Sequence, residues 1–285
     1  MAEKTTGIRT ILGIIGSPRR LGNCELFAKE VSRHVDVDHR LDLVRLSDLT
    51  IMPCQGCYSC IGEEGRCRIQ DDTEFLIEHV RTCDALIIAS PVYFLGTHGS
   101  VKRLLDRAFS FFHAIDTMEK KPCILVNTYG MRDRIGCAPQ ALRTLAAFLG
   151  VEVKASVSLE AALPGDILLN EAAIKEAARL GRVLFDEAET MQPDPGGRAC
   201  PFCGNNIVRI RETDLICTLC HGTFTMDGEG GAVPNDAGWD VLDIRFVREH
   251  RLWLAGMKAR FLATRKELSR LSGPYRDIGR WLKPE

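Results

Sequence analysis

The sequence predicts an α/β fold: a five-stranded parallel sheet covered by helices on both faces, then a small four-cysteine ribbon and a helical tail. Three observations predict it. Over the first 190 residues, short apolar runs alternate with segments of helical periodicity, the pattern of repeated strand–helix–strand units. The composition then breaks at QPDPGG (192–197), which reads as a linker by its Pro and Gly content. Beyond the break lie two C-x-x-C pairs and a long helical pattern that runs from about 240 to 273–274.

The elements follow in order. Residues 10–15 (TILGII) suit a central buried strand. After the turn GSPRRLGN (16–23), Cys24, Phe27, Ala28, Val31 and Val35 share one helix face, and Asn23 is placed to cap that helix. Residues 40–46 alternate as a second strand, and a cysteine-rich loop leads to a helix at about 72–81. ALIIAS (85–90) is a third strand, followed by PVYFLGTHG and a helix at about 100–112. PCILVN (122–127) is a fourth, followed by TYGMRDRIG and a helix near 140–149. A fifth strand, about 151–159, leads into an Ala-rich helix at about 170–188. Five such units match the flavodoxin-like strand order 2-1-3-4-5. The expected divisions are 1–190 for this domain, 198–232 for the ribbon and 240–285 for the tail.

At 285 residues and 45% hydrophobic, the chain supports one large domain with appendages. No apolar run approaches the ~20 residues of a membrane span, and MAEKTTGIRT lacks the apolar middle of a secretory signal. A cytoplasmic location is therefore expected. The net charge of −1 offers no nucleic-acid footprint overall, but residues 241–285 carry eleven Lys and Arg against five Asp and Glu. That +6 leaves −7 for the preceding 240 residues and marks the tail as a separate unit. Twelve cysteines in a cytoplasmic chain point to metal or redox work. Cys24, Cys83, Cys123 and Cys137 are scattered and read as small buried hydrophobes; the other eight fall into two groups.

Cys54, Cys57, Cys60 and Cys67 form the run C-x2-C-x2-C-x6-C. Three thiols on consecutive short arcs can converge on one cube of iron and sulfur, as in bacterial ferredoxins. Zinc prefers two separated pairs, which leaves the middle cysteine of a triplet awkwardly placed. The spacing argues for a redox cluster, with a zinc or metal-free thiol loop as the alternative.

The turn 16–23 joins a strand to a helix, so backbone N–H groups and the helix dipole converge there. Ser17, Arg19 and Asn23 add a hydroxyl, a forked cation and an amide, a set suited to the terminal phosphate of a mononucleotide. The dinucleotide fingerprint G-x-G-x-x-G is absent. In an open parallel sheet of this order, ligands sit where the strand order reverses, beyond the carboxyl ends of strands 1 and 3. Pro91, Val92, Tyr93 and Phe94 follow strand 3, and an aromatic pair there suits a flat isoalloxazine. Thr128, Tyr129 and Gly130, after strand 4, supply a third wall. The cysteine loop follows strand 2 and leaves from the same rim.

GSPRRLGN before a helix, the four-cysteine loop running into Asp71-Asp72, and SPVYF before the third helix together resemble the iron–sulfur flavoproteins. These belong to the wider flavodoxin-like group of NAD(P)H-dependent FMN reductases. The resemblance covers about residues 8–190. It implies FMN held by Ser17, Arg19, Asn23 and the position of Cys24, with ring contacts from 91–94 and 128–130. It implies a 4Fe–4S cluster on Cys54, Cys57, Cys60 and Cys67, and a homo-oligomer. Cys24 stands where this pattern usually has Thr or Ser, and TYGMRD carries fewer small residues than usual.

Cys200-x2-Cys203 and Cys217-x2-Cys220 lie outside the resemblance. Two such knuckles, thirteen residues apart and joined by a hairpin-like segment, are the pattern of a tetrahedral four-thiolate site. Zinc is favoured, with a rubredoxin-type iron as the alternative; His221 reads as a neighbour and not as a ligand. In the tail, Val247, Leu254, Phe261 and Leu268 recur every seven residues, with His250, Met257, Thr264 and Leu271 three places on. Such a stripe lies on the protein's own body, embraces a second subunit or, least in keeping with basic residues spread around it, lies on a membrane surface.

A cluster beside FMN would convert between one-electron carriers and two-electron chemistry. The expected partners are a ferredoxin-like electron carrier and a small-molecule acceptor. No residue is an obvious general acid or nucleophile; His98 and His113 are the candidates for proton delivery. The alternatives are an NAD(P)H-dependent FMN or quinone reductase whose cysteine loop is structural, and a redox-sensing regulator that uses the ribbon and basic tail.

Overall fold

The computed structural model describes residues 7–62, 65–187, 199–238 and 244–272. The expected linker at 192–197 and the expected helix end at 273–274 lie outside them.

The first domain runs β1 (Arg9–Ile15), α1 (Asn23–Arg33), β2 (His39–Arg45), α2 (Thr73–Thr82), β3 (Ala85–Tyr93), β4 (Gly96–Thr97), α3 (Gly99–Asp106), α4 (Ile115–Met118), β5 (Pro122–Tyr129), α5 (Ala138–Leu149), β6 (Glu152–Glu160) and α6 (Glu171–Val183). Five parallel strands lie in the order β2-β1-β3-β5-β6, the expected 2-1-3-4-5. Side chains alternate across each strand. Leu12, Ile14, Leu86, Ile88 and Leu125 therefore pack with Leu76, Leu104 and Leu145 on one face. Ile11, Ile15, Ile87, Ile124 and Val126 pack with Phe27, Val31 and Leu180 on the other.

Two local features depart from the sequence reading. β3 folds back on itself: Val92 pairs with Thr97 and Tyr93 with Gly96. The two residues between, Phe94 (φ 48°) and Leu95 (φ 63°), are both left-handed, the geometry a two-residue hairpin needs. The helix expected over 100–112 stops at Asp106 and continues as a 3-10 stretch, Ala108–Ala114. The break falls at Arg107, whose side chain turns inward and is 1% exposed.

The C-terminal region holds an antiparallel sheet, β10-β9-β8-β7, where the sequence suggested one hairpin. Its strands are β7 (Val208–Arg211), β8 (Asp214–Cys217), β9 (Thr223–Met226) and β10 (Ala232–Asp236). Its core is the four cysteines with Leu219 and Phe224, against which Phe246 packs. The helix α7 (Ile244–Ser272) follows. Its stripe splits in two: Val247 is buried, whereas Phe261, Leu268 and Leu271 are exposed. No described helix is long and apolar enough to cross a membrane.

Candidate functional site

Four loops at the carboxyl ends of β1, β3, β5 and β6 meet around one cavity. Ser17, Arg19, Gly22, Asn23 and Cys24 line it from the first, and Pro91, Val92 and Tyr93 from the second. Thr128 and Gly130 come from the third, and Ala161, Ala162 and Pro164 from the fourth. The turn is drawn tight at Gly22. A Cβ there would stand 3.1 Å from the Arg19 carbonyl and 3.3 Å from the Ser17 hydroxyl, tighter than ordinary contact, so a larger residue would have to push the turn open by a few tenths of an ångström where its N–H groups converge. Ser17 Oγ accepts from the Arg19 N–H at 3.3 Å. Glu25 braces the turn by accepting from the Leu21 N–H at 2.9 Å. Burial opposes its ionisation, but Lys29, the Leu21 N–H and Arg45 outweigh burial and keep its carboxyl below the usual range.

Nine of the eleven residues expected around a flavin line this cavity; Phe94 and Tyr129 do not. Phe94 sits at the hairpin tip, fully in solvent, because the fold-back of β3 carries it past the rim. Tyr129 lies between Thr128 and Gly130, so strand alternation turns it away from the face those two share. Asn23 also differs from its expected role. The residue capping α1 is Gly22, with no side-chain cap. The Asn23 amide instead donates to the carbonyls of Ala161 at 3.1 Å and Leu163 at 3.0 Å, and accepts from the Gly165 N–H at 3.0 Å. Both amide protons are thus committed to the β6 loop, which leaves the Asn23 backbone N–H as its contribution to an anion. The sequence reading missed Gly22, Ala161, Ala162 and Pro164. The carboxyl-end rule applied to the fifth strand as well would have drawn in AALPG, which follows it.

Cys24 is buried, with its sulfur 3.3 Å from the Thr128 hydroxyl. Burial pushes its thiol up to about 12, so it is a neutral partner for Thr128 and not a nucleophile. Cys83 and Cys123 are buried as expected, but Cys137 is exposed, at the start of α5 where its N–H donates to the Leu95 carbonyl at 2.8 Å. Neither histidine candidate lines the cavity. His98 caps α3, its Nδ1 accepting from the Ser100 N–H at 3.3 Å; burial, then Arg103, lowers its pKa. His113 Nε2 lies 3.4 Å from Glu74.

The cysteine loop leaves the end of β2 and is curled by left-handed residues at Gly56, Tyr58 and Gly65. Its two ends are tied together. Asp71 accepts from the Met52 N–H at 2.8 Å and Asp72 from the Thr50 N–H at 2.6 Å. Cys60 is raised to about 11, first by burial and then by Cys67, Cys54 and Cys57, so the four sulfurs share one electrostatic neighbourhood. Among the described residues, the four ribbon sulfurs form the one cysteine set gathered within 4.8 Å. A cube of iron and sulfur binds each cysteine at a different iron, so it needs wider spacing than a single ion does. In the loop, the Gly56 N–H donates to the Cys54 sulfur at 3.4 Å, and all four sulfurs are soft thiolate donors of the kind such a cluster takes.

The second group has the opposite geometry. Cys200 and Cys220, and Cys203 and Cys217, lie 3.6 Å apart in sulfur pairs. Metal–sulfur bonds of 2.3 Å in a tetrahedron give edges of about 3.8 Å, so the residues fit one four-coordinate ion. His221 is exposed and outside the ligand set. Thr218, between two ligands, donates to Gln140 Oε1 at 3.0 Å. Arg143, also on α5, donates to the Cys203 carbonyl. These contacts seat the ribbon on the first domain.

Residues 9–162 match the family of NADPH-dependent FMN reductases. An iron–sulfur flavoprotein of Methanocaldococcus jannaschii is 36% identical over 99 residues, 34% of this chain and 51% of that protein. The match thus spans about half the length of that relative. One from Archaeoglobus fulgidus is 28% identical over 186 residues, 64% of this chain and 83% of its own length. A solved structure of a flavone reductase shares the fold, with a TM-score of 0.72 at 18% identity over 97% of this chain and 100% of that one.

Proposed function

The chain belongs to the NADPH-dependent FMN reductase family, and from that premise we propose that it is an FMN-dependent oxidoreductase of the iron–sulfur flavoprotein type. It would pass electrons between a ferredoxin-like carrier and a small-molecule acceptor. The observation that carries this reading is the shared rim: the phosphate turn, the Pro91–Tyr93 wall and the cysteine loop all leave carboxyl ends of one parallel sheet. When bound, FMN exchanges electrons singly or in pairs and a 4Fe–4S cluster exchanges them one at a time.

The chain's own residues supply binding, placement and exclusion of water. Ser17, Arg19 and the backbone N–H groups at the start of α1 would take the FMN phosphate. Tyr93, Thr128, Gly130, Ala161 and Ala162 would wall the ring, and Asn23 would hold that wall against the turn. Cys54, Cys57, Cys60 and Cys67 would hold the 4Fe–4S cluster. Cys200, Cys203, Cys217 and Cys220 would hold zinc as a folding staple; their 3.6 Å sulfur pairs and near-complete burial support a closed structural site. We place the protein in the cytoplasm as a homo-oligomer.

Chemical analysis of anaerobically purified protein tests this. The expected content per chain is about one FMN, four irons, four sulfides and one zinc; the absence of inorganic sulfide contradicts the cluster. The family description supports a second reading, an NAD(P)H-dependent FMN or quinone reductase with a structural cysteine loop. Rapid flavin bleaching by NADPH, with no sulfide present, would favour it.

A further inference from the structure

Arg107 occupies an unusual place. Its guanidinium is 1% exposed, as is Asp71, its ion-pair partner at 2.7 Å. Nη1 donates to the Met52 carbonyl at 2.7 Å, just before the first cysteine of the loop. Nη2 reaches Asp71 at 3.4 Å and the sulfur of Cys67, the last cysteine, also at 3.4 Å. One planar fork thus holds Met52, two residues before the first cysteine, Asp71, four residues after the last, and the Cys67 sulfur. A lysine has a single ammonium and cannot span these positions at once.

We propose that Arg107 is a positioning residue for the cysteine loop and that its N–H···S contact with Cys67 raises the reduction potential of the cluster held there. The inference rests on the cluster reading above. The physical ground is general. Reduction adds one electron to the cluster and its sulfurs, and a donor aimed at a ligand sulfur stabilises the more negative state. The arginine stays protonated throughout, so one electron enters and no proton moves. Asp71 balances the arginine's charge, so the effect comes from the directed N–H and from the loop geometry, not from net charge. The pair is built from α3's end and the run before α2, so it positions Cys67 from rigid neighbours.

Removing Arg107 alone would leave Asp71 buried without its counter-ion, which is costly. The test therefore uses Arg107→Lys, the neutral pair Arg107→Gln with Asp71→Asn, and Arg251→Met. Arg251 donates to the Gly62 carbonyl in the same loop at 2.6 Å but makes no sulfur contact, so it reports loosening alone. The readout is an anaerobic potentiometric titration followed by electron paramagnetic resonance, normalised to iron and sulfide content. Both Arg107 variants should disfavour reduction at least tenfold, a fall of about 59 mV for one electron. Arg251→Met should lose occupancy with its potential unmoved. Unshifted potentials in both Arg107 variants at full occupancy overturn the proposal while leaving the cluster in place. A wild-type protein without sulfide overturns the cluster reading and this proposal together.

Discussion

Arg251 donates to the carbonyl of Gly62 at 2.6 Å across 189 residues of sequence. Its guanidinium lies over the Phe112 ring, 4.2 Å from the centroid. A helix outside the family-matched segment therefore pins the middle of the cysteine loop. His250, one residue earlier, stacks between Phe246 at 5.9 Å and Trp253 at 5.5 Å, and Phe246 packs against the ribbon core. The two cysteine sites thus share one strut.

Replacing Arg251 with Ala removes a charge-assisted hydrogen bond and a cation–π contact, about 1–3 kcal/mol of local restraint. Limited proteolysis within the loop should quicken about 5- to 150-fold. The global melting temperature should barely move, since the parallel sheet is untouched.

Asn23→Ala should weaken FMN binding about 10- to 100-fold, because four hydrogen bonds joining the phosphate turn to the segment after β6 are lost. Asn23→Asp should be no better, since a carboxylate cannot donate to the Ala161 and Leu163 carbonyls. Quenching of FMN fluorescence on titration with apoprotein measures both.

Asp71 supplies an acid-side prediction. Burial alone would raise its carboxyl; Arg107 and the groups of Thr73 and Met52 outweigh burial and hold it at about 2 against an ordinary 3.8. A depressed carboxyl stabilises the fold above its unfolded value and stops doing so as pH falls through its folded value. Denaturant unfolding of wild type and Asp71→Asn should differ fully above about pH 4, and the gap should close toward pH 2. A gap that is constant across that range contradicts the ion pair.

Cys217→Ser should remove the ribbon ion, since that sulfur also accepts from the N–H groups of Leu219 and Cys220. Structural four-cysteine sites contribute on the order of 10 kcal/mol to their modules. The ribbon should become protease-sensitive and α7 should lose its Phe246 seat. Metal analysis falling by one ion per chain, with loop iron unchanged, is the expected result.

The strand order was legible because buried parallel strands write near-continuous apolar runs such as TILGII and ALIIAS, and the turn chemistry between them is local. Eight cavity residues followed from the turn chemistry and the carboxyl-end rule, both local signals, and the ninth, Cys24, from the family resemblance. Phe94 was misplaced because the fold-back of β3 depends on two left-handed residues that are not glycine, Phe94 and Leu95, which no turn signal in the sequence announces. Asn23 stands where a cap is expected, because capping is a local signal. Its actual partners are about 140 residues away, and nothing in a single sequence encodes that pairing. No sequence signal sets Arg107 apart from the other helix charges; its burial emerges only when the ends of the cysteine loop come together around it.

The most direct test counts electrons. In an anaerobic reductive titration monitored by visible absorbance, the wild type should take up about three electrons per chain, two at FMN and one at the cluster. Cys60→Ala should take up about two and lose the broad cluster absorbance. A wild-type protein that takes up only two, with a spectrum matching that of Cys60→Ala, would contradict the account.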